Sequence, residues 1–323
     1  MVDDPKSPEI YPPYPATWQE FSSWFRDDPS CAAYLEQLRW PAGFVCPKCE
    51  GAKGWRTADG RWSCTGCARK VSVTSGTIFD GSRISLREWF AAAWYMTNQK
   101  QGVSALGLQR LLGLGSYQTA WTILRKLRTA MVRPGRDRLR GFVEIDETYV
   151  GGIEHGTRGR GTERKFIVAI AIEVLSPKGY GRVRLDRIED VSGESLIPFV
   201  CAAVEIASEV RTDEWKGYNG LEKLGYSHHR INVSQSGDPA HVSLPAVHTV
   251  ASLLKRWLLG THQGSVTAEH LDAYLDEFAF RFNRRHSRQR GLLFLRLLQH
   301  AVVTPPSRFR PSRAEKQVDD HNR

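Results

Sequence analysis

No run in the 323-residue sequence approaches the ~20 consecutive apolar residues of a membrane span, so no membrane-spanning helix is expected. The first fifteen residues, MVDDPKSPEIYPPYP, have neither a basic n-region nor an apolar h-region, and no signal peptide is expected from them. Acids are scarce: 35 Asp and Glu face 45 Lys and Arg, for a formal net charge of +10. The deficit is local. Residues 123–140 hold Arg125, Lys126, Arg128, Arg133, Arg136, Arg138 and Arg140 against Asp137 alone, and residues 281–290 hold five arginines and no acid. That shortage points to a polyanionic partner, nucleic acid first, because clustered cations release counterions when they neutralise phosphates. The competing reading is a basic protein with a solvated surface. Cysteine is sparse too, at six residues. Without an export signal the expected compartment is reducing and cytoplasmic, which excludes a disulfide framework.

What cysteine there is, is concentrated. Cys46-Pro-Lys-Cys49 and Cys64-Thr-Gly-Cys67 are two CxxC knuckles with fourteen residues between them. Each presents two sulfurs to one side of an ion, so together they predict a tetrahedral four-thiolate zinc site of structural type. Trp55-Arg-Thr and Arg61-Trp-Ser alternate around Asp59-Gly60, a hairpin signal between the knuckles, and a zinc ribbon is expected over 40–80. Cys31 and Cys201 stand apart and read as buried small hydrophobes.

The length allows two or three domains, one with a large core. The Pro-rich start, within an N-terminal helical segment over 1–39, is expected to be loosely ordered, with two short helices over 17–39 interrupted at Pro29. Residues 81–133 read as helical throughout: Ser85-x-x-Glu88 is a capping box, and SALGLQRLLGL and SYQTAWTILRKLRTAMV flank a turn at 113–116. This helix–turn–helix has the size of a DNA-reading module, with Arg125, Lys126 and Arg128 as candidate contacts; many helical hairpins of this size bind nothing. A linker is expected over 134–141. Beyond it the chain changes to strand patterning: 141–152, 165–175, 181–190, a helix over 192–206, a fourth strand at 208–214, a fifth at 227–233, then helices. An α/β fold with a ribonuclease-H-like core, a mixed sheet flanked by helices, is expected over 142–300. That fold alternates helix, strand, helix, strand and helix after its first three strands. A disordered tail is expected over 301–323.

Two carboxylates stand out. In Val143-Glu-Ile-Asp-Glu-Thr-Tyr-Val150, alternation puts Val143, Ile145 and Glu147 on one face and Glu144, Asp146 and Thr148 on the other. A mid-strand carboxylate is costly unless it meets a cation; the bland alternative is an exposed face. Asp213 ends the fourth strand, where α/β sheets commonly meet ligands, or it is an ordinary turn cap. Two strand-borne aspartates 67 residues apart in sequence suit shared divalent cations, which hard oxygen ligands select as Mg²⁺ and which drive phosphodiester chemistry.

At this point the residues resemble a known family. The chain is similar to DDE-type insertion-sequence transposases with an N-terminal zinc ribbon, the family numbered fifteen ninety-five with an ISXO-two-like transposase domain. The resemblance is carried by Cys46 to Cys67, Thr77-Ile-Phe, Val143-Glu-Ile-Asp-Glu-Thr-Tyr-Val-Gly-Gly152, Thr212-Asp-Glu-Trp-Lys-Gly-Tyr218 and Val247-His248. Lys255-Arg-Trp-Leu-Leu-Gly-Thr261 and Tyr274-Leu-Asp-Glu-Phe-Ala-Phe-Arg-Phe-Asn-Arg-Arg285 complete it, over roughly 20–295. It implies a core that cuts and rejoins DNA with Mg²⁺ or Mn²⁺, with Asp146 and Asp213 as the first two catalytic acids and Lys255 as a phosphate contact. It implies double-stranded DNA partners, terminal inverted repeats and target, at least two protomers when two ends are joined, and a bacterial protein on the nucleoid. Arg281, Arg284 and Arg285 would grip the backbone.

The family's third active-site member, a glutamate, asparagine or histidine, is expected two residues before the lysine. Here that position is Leu253, which can neither ligate a metal nor accept a proton. Either the copy is catalytically weakened or the register is off by a turn; His248, five residues earlier, and Glu269 are the nearby substitutes. An active transposase and a DNA-binding protein that no longer cuts are therefore the two readings to separate. A zinc-ribbon transcription factor leaves the second-half motifs unexplained, and a two-carboxylate glycosidase has no use for a ribbon or this basicity.

Overall fold

The structure, a computed structural model, describes residues 12–132, 135–151, 165–232, 243–263 and 266–306. The first eleven residues of the expected loose N-terminus, Arg133, Gly152 and residues 307–323 of the expected tail lie outside the described residues. Two compact units divide the chain: Met1–Ala91 with Leu295–Arg323, and Ala92–Phe294.

In the first unit, α1 (Trp18–Trp24) and α2 (Asp28–Arg39) precede the ribbon. Pro29 does not interrupt a helix as the sequence suggested. It lies in the first turn of α2, where a missing N–H costs nothing, and Asp27 caps that turn through Ser30 N–H at 2.9 Å. Phe25 packs edge-on against Tyr34 and Phe90, with ring centroids 5.1 and 4.8 Å away. The ribbon is the expected hairpin, β1 (Gly54–Arg56) against β2 (Trp62–Cys64), extended by a two-residue β3 (Lys70–Val71). Gly54 permits the close approach: a Cβ there would lie 2.8 Å from the Ser63 carbonyl and 2.9 Å from the Phe44 ring.

Three helices follow: α3 (Leu86–Asn98), α4 (Ala105–Leu112) and α5 (Tyr117–Thr129). The capping box forms, with Ser85 Oγ accepting from Glu88 N–H at 3.1 Å and Glu88 Oε2 accepting from Ser85 N–H at 3.0 Å. Gly113, at φ 65°, ends α4, and Ser116 caps α5. The expected linker is not wholly free: Leu139 is fully buried and bridges to Val204.

The second unit is built on a five-stranded sheet of β4 (Phe142–Gly151), β5 (Lys165–Val174), β6 (Tyr180–Ile188), β7 (Glu209–Asp213) and β8 (Ser227–Ile231). Their order is β6-β5-β4-β7-β8. The first three strands are antiparallel, and β7 and β8 run parallel to β4, as in a ribonuclease-H-like core. One connection departs from expectation: β7 and β8 are joined by two 3-10 turns, Lys216–Tyr218 and Glu222–Leu224, where an α-helix was expected. Alternation splits the faces. Val143, Ile145, Ala169, Ala171 and Val210 bury against α6 (Gly193–Ala203). Val150, Val168, Ile170, Val183 and Leu185 bury against α7 (Pro245–His262) and α8 (Ala268–Asn283). A last helix, α9, spans Arg290–Ala301.

The expected DNA-gripping arginines are mostly consumed inside this unit. Glu277 of α8 is fully buried, and it accepts from Arg128 of α5 at 2.7 Å and from Arg281 at 2.8 Å. Burial pushes the Glu277 carboxyl up, but the Arg281 and Arg128 guanidiniums outweigh that and hold it below its usual range. Arg281 also donates to the carbonyls of Gln99 and Met96 at 2.6 and 2.7 Å, so the node ties α3, α5 and α8 together. Arg285 donates to the Gly181, Phe282 and Tyr180 carbonyls, and Arg284 lies over the Phe280 ring at 4.1 Å. Arg128 and Arg281 are therefore structural, and Arg288 and Arg290 are the exposed arginines of that stretch. Glu277→Ala is expected to cost about 3–5 kcal/mol, because it strands the buried Arg128 guanidinium and the half-buried one of Arg281. Urea unfolding measures this, and a loss below about 1 kcal/mol would contradict the assigned role.

Candidate active site and metal centre

The four ribbon cysteines converge, their Sγ atoms all lying within 4.8 Å of one another. Cys46 and Cys67 are 3.7 Å apart, and Cys49 and Cys64 are 3.5 Å apart. A zinc ion about 2.3 Å from each sulfur requires sulfur–sulfur edges of about 3.8 Å, so the group fits zinc. The two knuckles repeat one backbone design. Each first cysteine accepts through its carbonyl from the N–H four residues on, Glu50 at 2.9 Å and Ala68 at 3.0 Å. Those receiving residues take left-handed φ values of 57° and 54°, unusual for side-chain-bearing residues. Backbone N–H groups of Lys48 and Cys49 hold the Cys46 thiol down to about 6, toward the thiolate that a metal needs. All four positions are occupied by protein sulfur, so this centre is structural and leaves no open position for catalysis.

The second site is on the sheet. Asp146, in the middle of β4, faces α7, and its side chain is 18% exposed. The parallel register pairs Glu144 with Arg211, so Asp146 and Asp213, each two residues further along, share that face, and the Asp213 carboxylate acts on Asp146. Asp213 Oδ1 accepts from Trp215 N–H at 3.0 Å, and Trp215 Nε1–H donates to the Val191 carbonyl at 2.6 Å, which pins the turn after β7. Gly217 is required in that turn, since a Cβ would lie 2.5 Å from the Val191 carbonyl. On the opposite face Tyr218 donates to Glu147 Oε2 at 3.1 Å.

Asp146 is desolvated and has other carboxylates close by. Burial pushes its carboxyl up, the Glu147 and Asp213 carboxylates push the same way, and the Glu147 N–H and Lys255 only partly offset them, leaving it at about 7. Lys255 is itself lowered, by burial and by Lys165, with Asp146 acting against both. A divalent cation is what two adjacent carboxylates in this environment would hold. Among the described residues, the four cysteines are the group whose ligand atoms gather within 4.8 Å of one another.

Leu253, the position expected for the third active-site member, lies on α7. That side chain is 37% exposed, on the outer face of the helix. His248 is the residue brought to Asp146, with Nε2 3.6 Å from Oδ2. His248 and Lys255 are seven residues apart, two helical turns, and so share one face. His248 precedes Lys255 by seven residues, a spacing readable in the chain. Glu269 opens α8 and lies 3.9 Å from Arg125, so it serves that arginine instead. Arg125 also stacks on Trp121 at 5.3 Å.

Comparison with known proteins finds a match for each of the two segments that carry these groups. A model of the transposase zinc-ribbon domain matches residues 26–70, and one of the ISXO2-like transposase domain matches residues 138–283. The chain is 28% identical over 279 residues to an uncharacterised protein in the transposable element ISH50 of Halobacterium salinarum, covering 80% of this chain and 91% of that one. It is 26% identical over 116 residues to an uncharacterised transposase-like protein of Haemophilus influenzae, covering 36% and 93%. Among solved structures, the Mos1 strand transfer complex aligns over 66% of this chain and 76% of that chain, at 15% identity and a TM-score of 0.28. The two matched segments each contain one of the two candidate sites: the chain carries a transposase zinc ribbon ahead of an ISXO2-like transposase domain.

Proposed function

We propose that this transposase cleaves the ends of its element and joins them to target DNA at a site formed by Asp146, Asp213 and His248, with Mg²⁺ or Mn²⁺. The observation that carries this reading is the meeting of His248 with Asp146, beside Asp213 and on the Lys255 face of α7. Two carboxylates and an imidazole suit Mn²⁺ as well as Mg²⁺. When bound, such a cation supplies Lewis acidity at the phosphodiester. Asp146 and Asp213 would hold it, His248 would complete the donor set or carry a proton, and Lys255 would meet a phosphate as a point charge. The ribbon and the α4–α5 hairpin would read the terminal repeat, with Arg125, Lys126 and the exposed Arg288 and Arg290 against the DNA backbone. Joining two ends requires at least two protomers.

The reading as a DNA binder that no longer cuts rested mainly on Leu253, and the placement of His248 against Asp146 favours the cutting enzyme. His248→Ala is expected to lower the cleavage rate roughly 10²-fold with repeat binding retained, whereas Leu253→Ala or Leu253→Glu changes it less than about twofold. Single-turnover cleavage of end-labelled repeat DNA checks this. Parent-like cleavage by His248→Ala, or a large effect at Leu253, would reverse the assignment.

A further inference from the structure

α7 begins without a cap of its own. Leu244 at the N-cap offers no side-chain acceptor, and Pro245 follows it. A helix start leaves its first backbone N–H groups without intrahelical partners. Pro245 has no N–H, and His248 N–H already reaches the Leu244 carbonyl at 3.2 Å, so the donors left are those of Ala246 and Val247. One oxygen takes both: Glu144 Oε2 accepts from Ala246 at 2.8 Å and from Val247 at 3.2 Å. Glu144 is 1% exposed, lies on β4 two residues before Asp146, and faces the same way. Its other oxygen is 3.9 Å from Arg211 of β7.

A Ser or Asp at position 244 would stabilise the helix start about as well, without burying a carboxylate in the sheet. What the interior carboxylate adds is registry. The strand that carries Asp146 directly grips the turn of helix that carries His248. A shift of α7 by even one residue would rotate His248 by about 100° away from the sheet.

We propose that Glu144 is a positioning residue, which sets His248 against Asp146 by holding the Ala246 and Val247 N–H groups on β4. This rests on the reading of Asp146 and His248 as one cleavage site.

The test compares Glu144→Leu, which keeps the volume, with Glu144→Gln, which keeps an acceptor oxygen at the same reach, both in the full chain. Glu144→Leu is expected to speed amide exchange at Ala246 and Val247 by about tenfold or more and to shift the His248 ring resonances, and Glu144→Gln to restore both. Cleavage by Glu144→Leu is expected to fall about 30-fold with repeat affinity unchanged, but less than about threefold further in a His248→Ala background, as for a residue acting through His248. Parent-like exchange in a folded Glu144→Leu, unmoved His248 resonances, or cleavage losses that multiply with those of His248→Ala would each overturn the proposal. Should Glu144→Leu not fold, Glu144→Asp keeps the charge and loses the reach; it is expected to show the same exchange and ring shifts, and parent-like values there also overturn it. If the parent chain cleaves no DNA, the cleavage reading fails, while exchange and the His248 resonances still decide the role of Glu144.

Discussion

Asp146→Asn is expected to reduce divalent-metal-dependent cleavage of element-end DNA by roughly 10³-fold or more, with affinity for that DNA within about twofold of the parent. The amide keeps the shape of the side chain and removes the charge that would hold the cation between β4 and β7. The same substitution is expected to stabilise the metal-free fold, with a definite pH signature. The Asp146 carboxyl is pushed up to about 7 in the folded chain, against about 3.9 for an unperturbed aspartate. A raised carboxyl pKa means that the folded state holds the proton more tightly. The parent therefore loses stability as pH rises from about 4 to about 7, and the loss persists above that. Asparagine cannot ionise, so thermal melting is expected to favour the variant at pH 8 and to show little difference at pH 4. A variant less stable than the parent at pH 8 would mean that Asp146 is held by structural partners and not kept waiting for a cation.

Loss of the ribbon metal is expected to have the other large effect. Removing zinc by chelation, or by Cys64→Ser, is expected to cost the ribbon on the order of 10 kcal/mol of folding free energy and to unfold it. Its buried core consists of Trp40, Phe44, Cys46, Cys64 and Val71, and two of these five are metal ligands. Phe44 stacks on Trp62 at 5.0 Å, so tryptophan fluorescence and amide exchange over 40–71 report the loss directly. Exchange over β4–β6 is expected to stay slow, since that sheet has its own core on both faces. Unchanged protection in the ribbon after stoichiometric zinc release would show that its aromatic residues hold it without the metal.

Much of this was legible in the chain, for identifiable reasons. The knuckles declare their chemistry by residue type and spacing alone, and the hairpin between them by Asp59-Gly60. Strict alternation in β4 correctly separated Glu144 and Asp146 from Val143 and Ile145, because a one-residue slip would have buried the wrong set. Arginine was the weakest guide. Arg128 and Arg281 look like surface charge in a basic stretch, and only the packing of α8 against α5 shows them spent on Glu277. Their partner is 149 residues from Arg128 in sequence, a separation no local pattern encodes. Glu144 was hidden in the same way, since its partners are backbone N–H groups of a helix about a hundred residues away. The placement of His248 on the Lys255 face of α7 was readable in principle, by counting two helical turns back from Lys255.

The most direct test of the Asp146–Asp213–His248 site is end-labelled DNA carrying the element's terminal repeat, incubated with the purified chain with and without Mg²⁺ or Mn²⁺. The account predicts a cut product bearing a 3′-hydroxyl that requires the cation, persists in Leu253→Ala, and is lost in Asp213→Asn. Cleavage that survives in Asp213→Asn, or a parent chain that binds the repeat and yields no product with either cation, would contradict it.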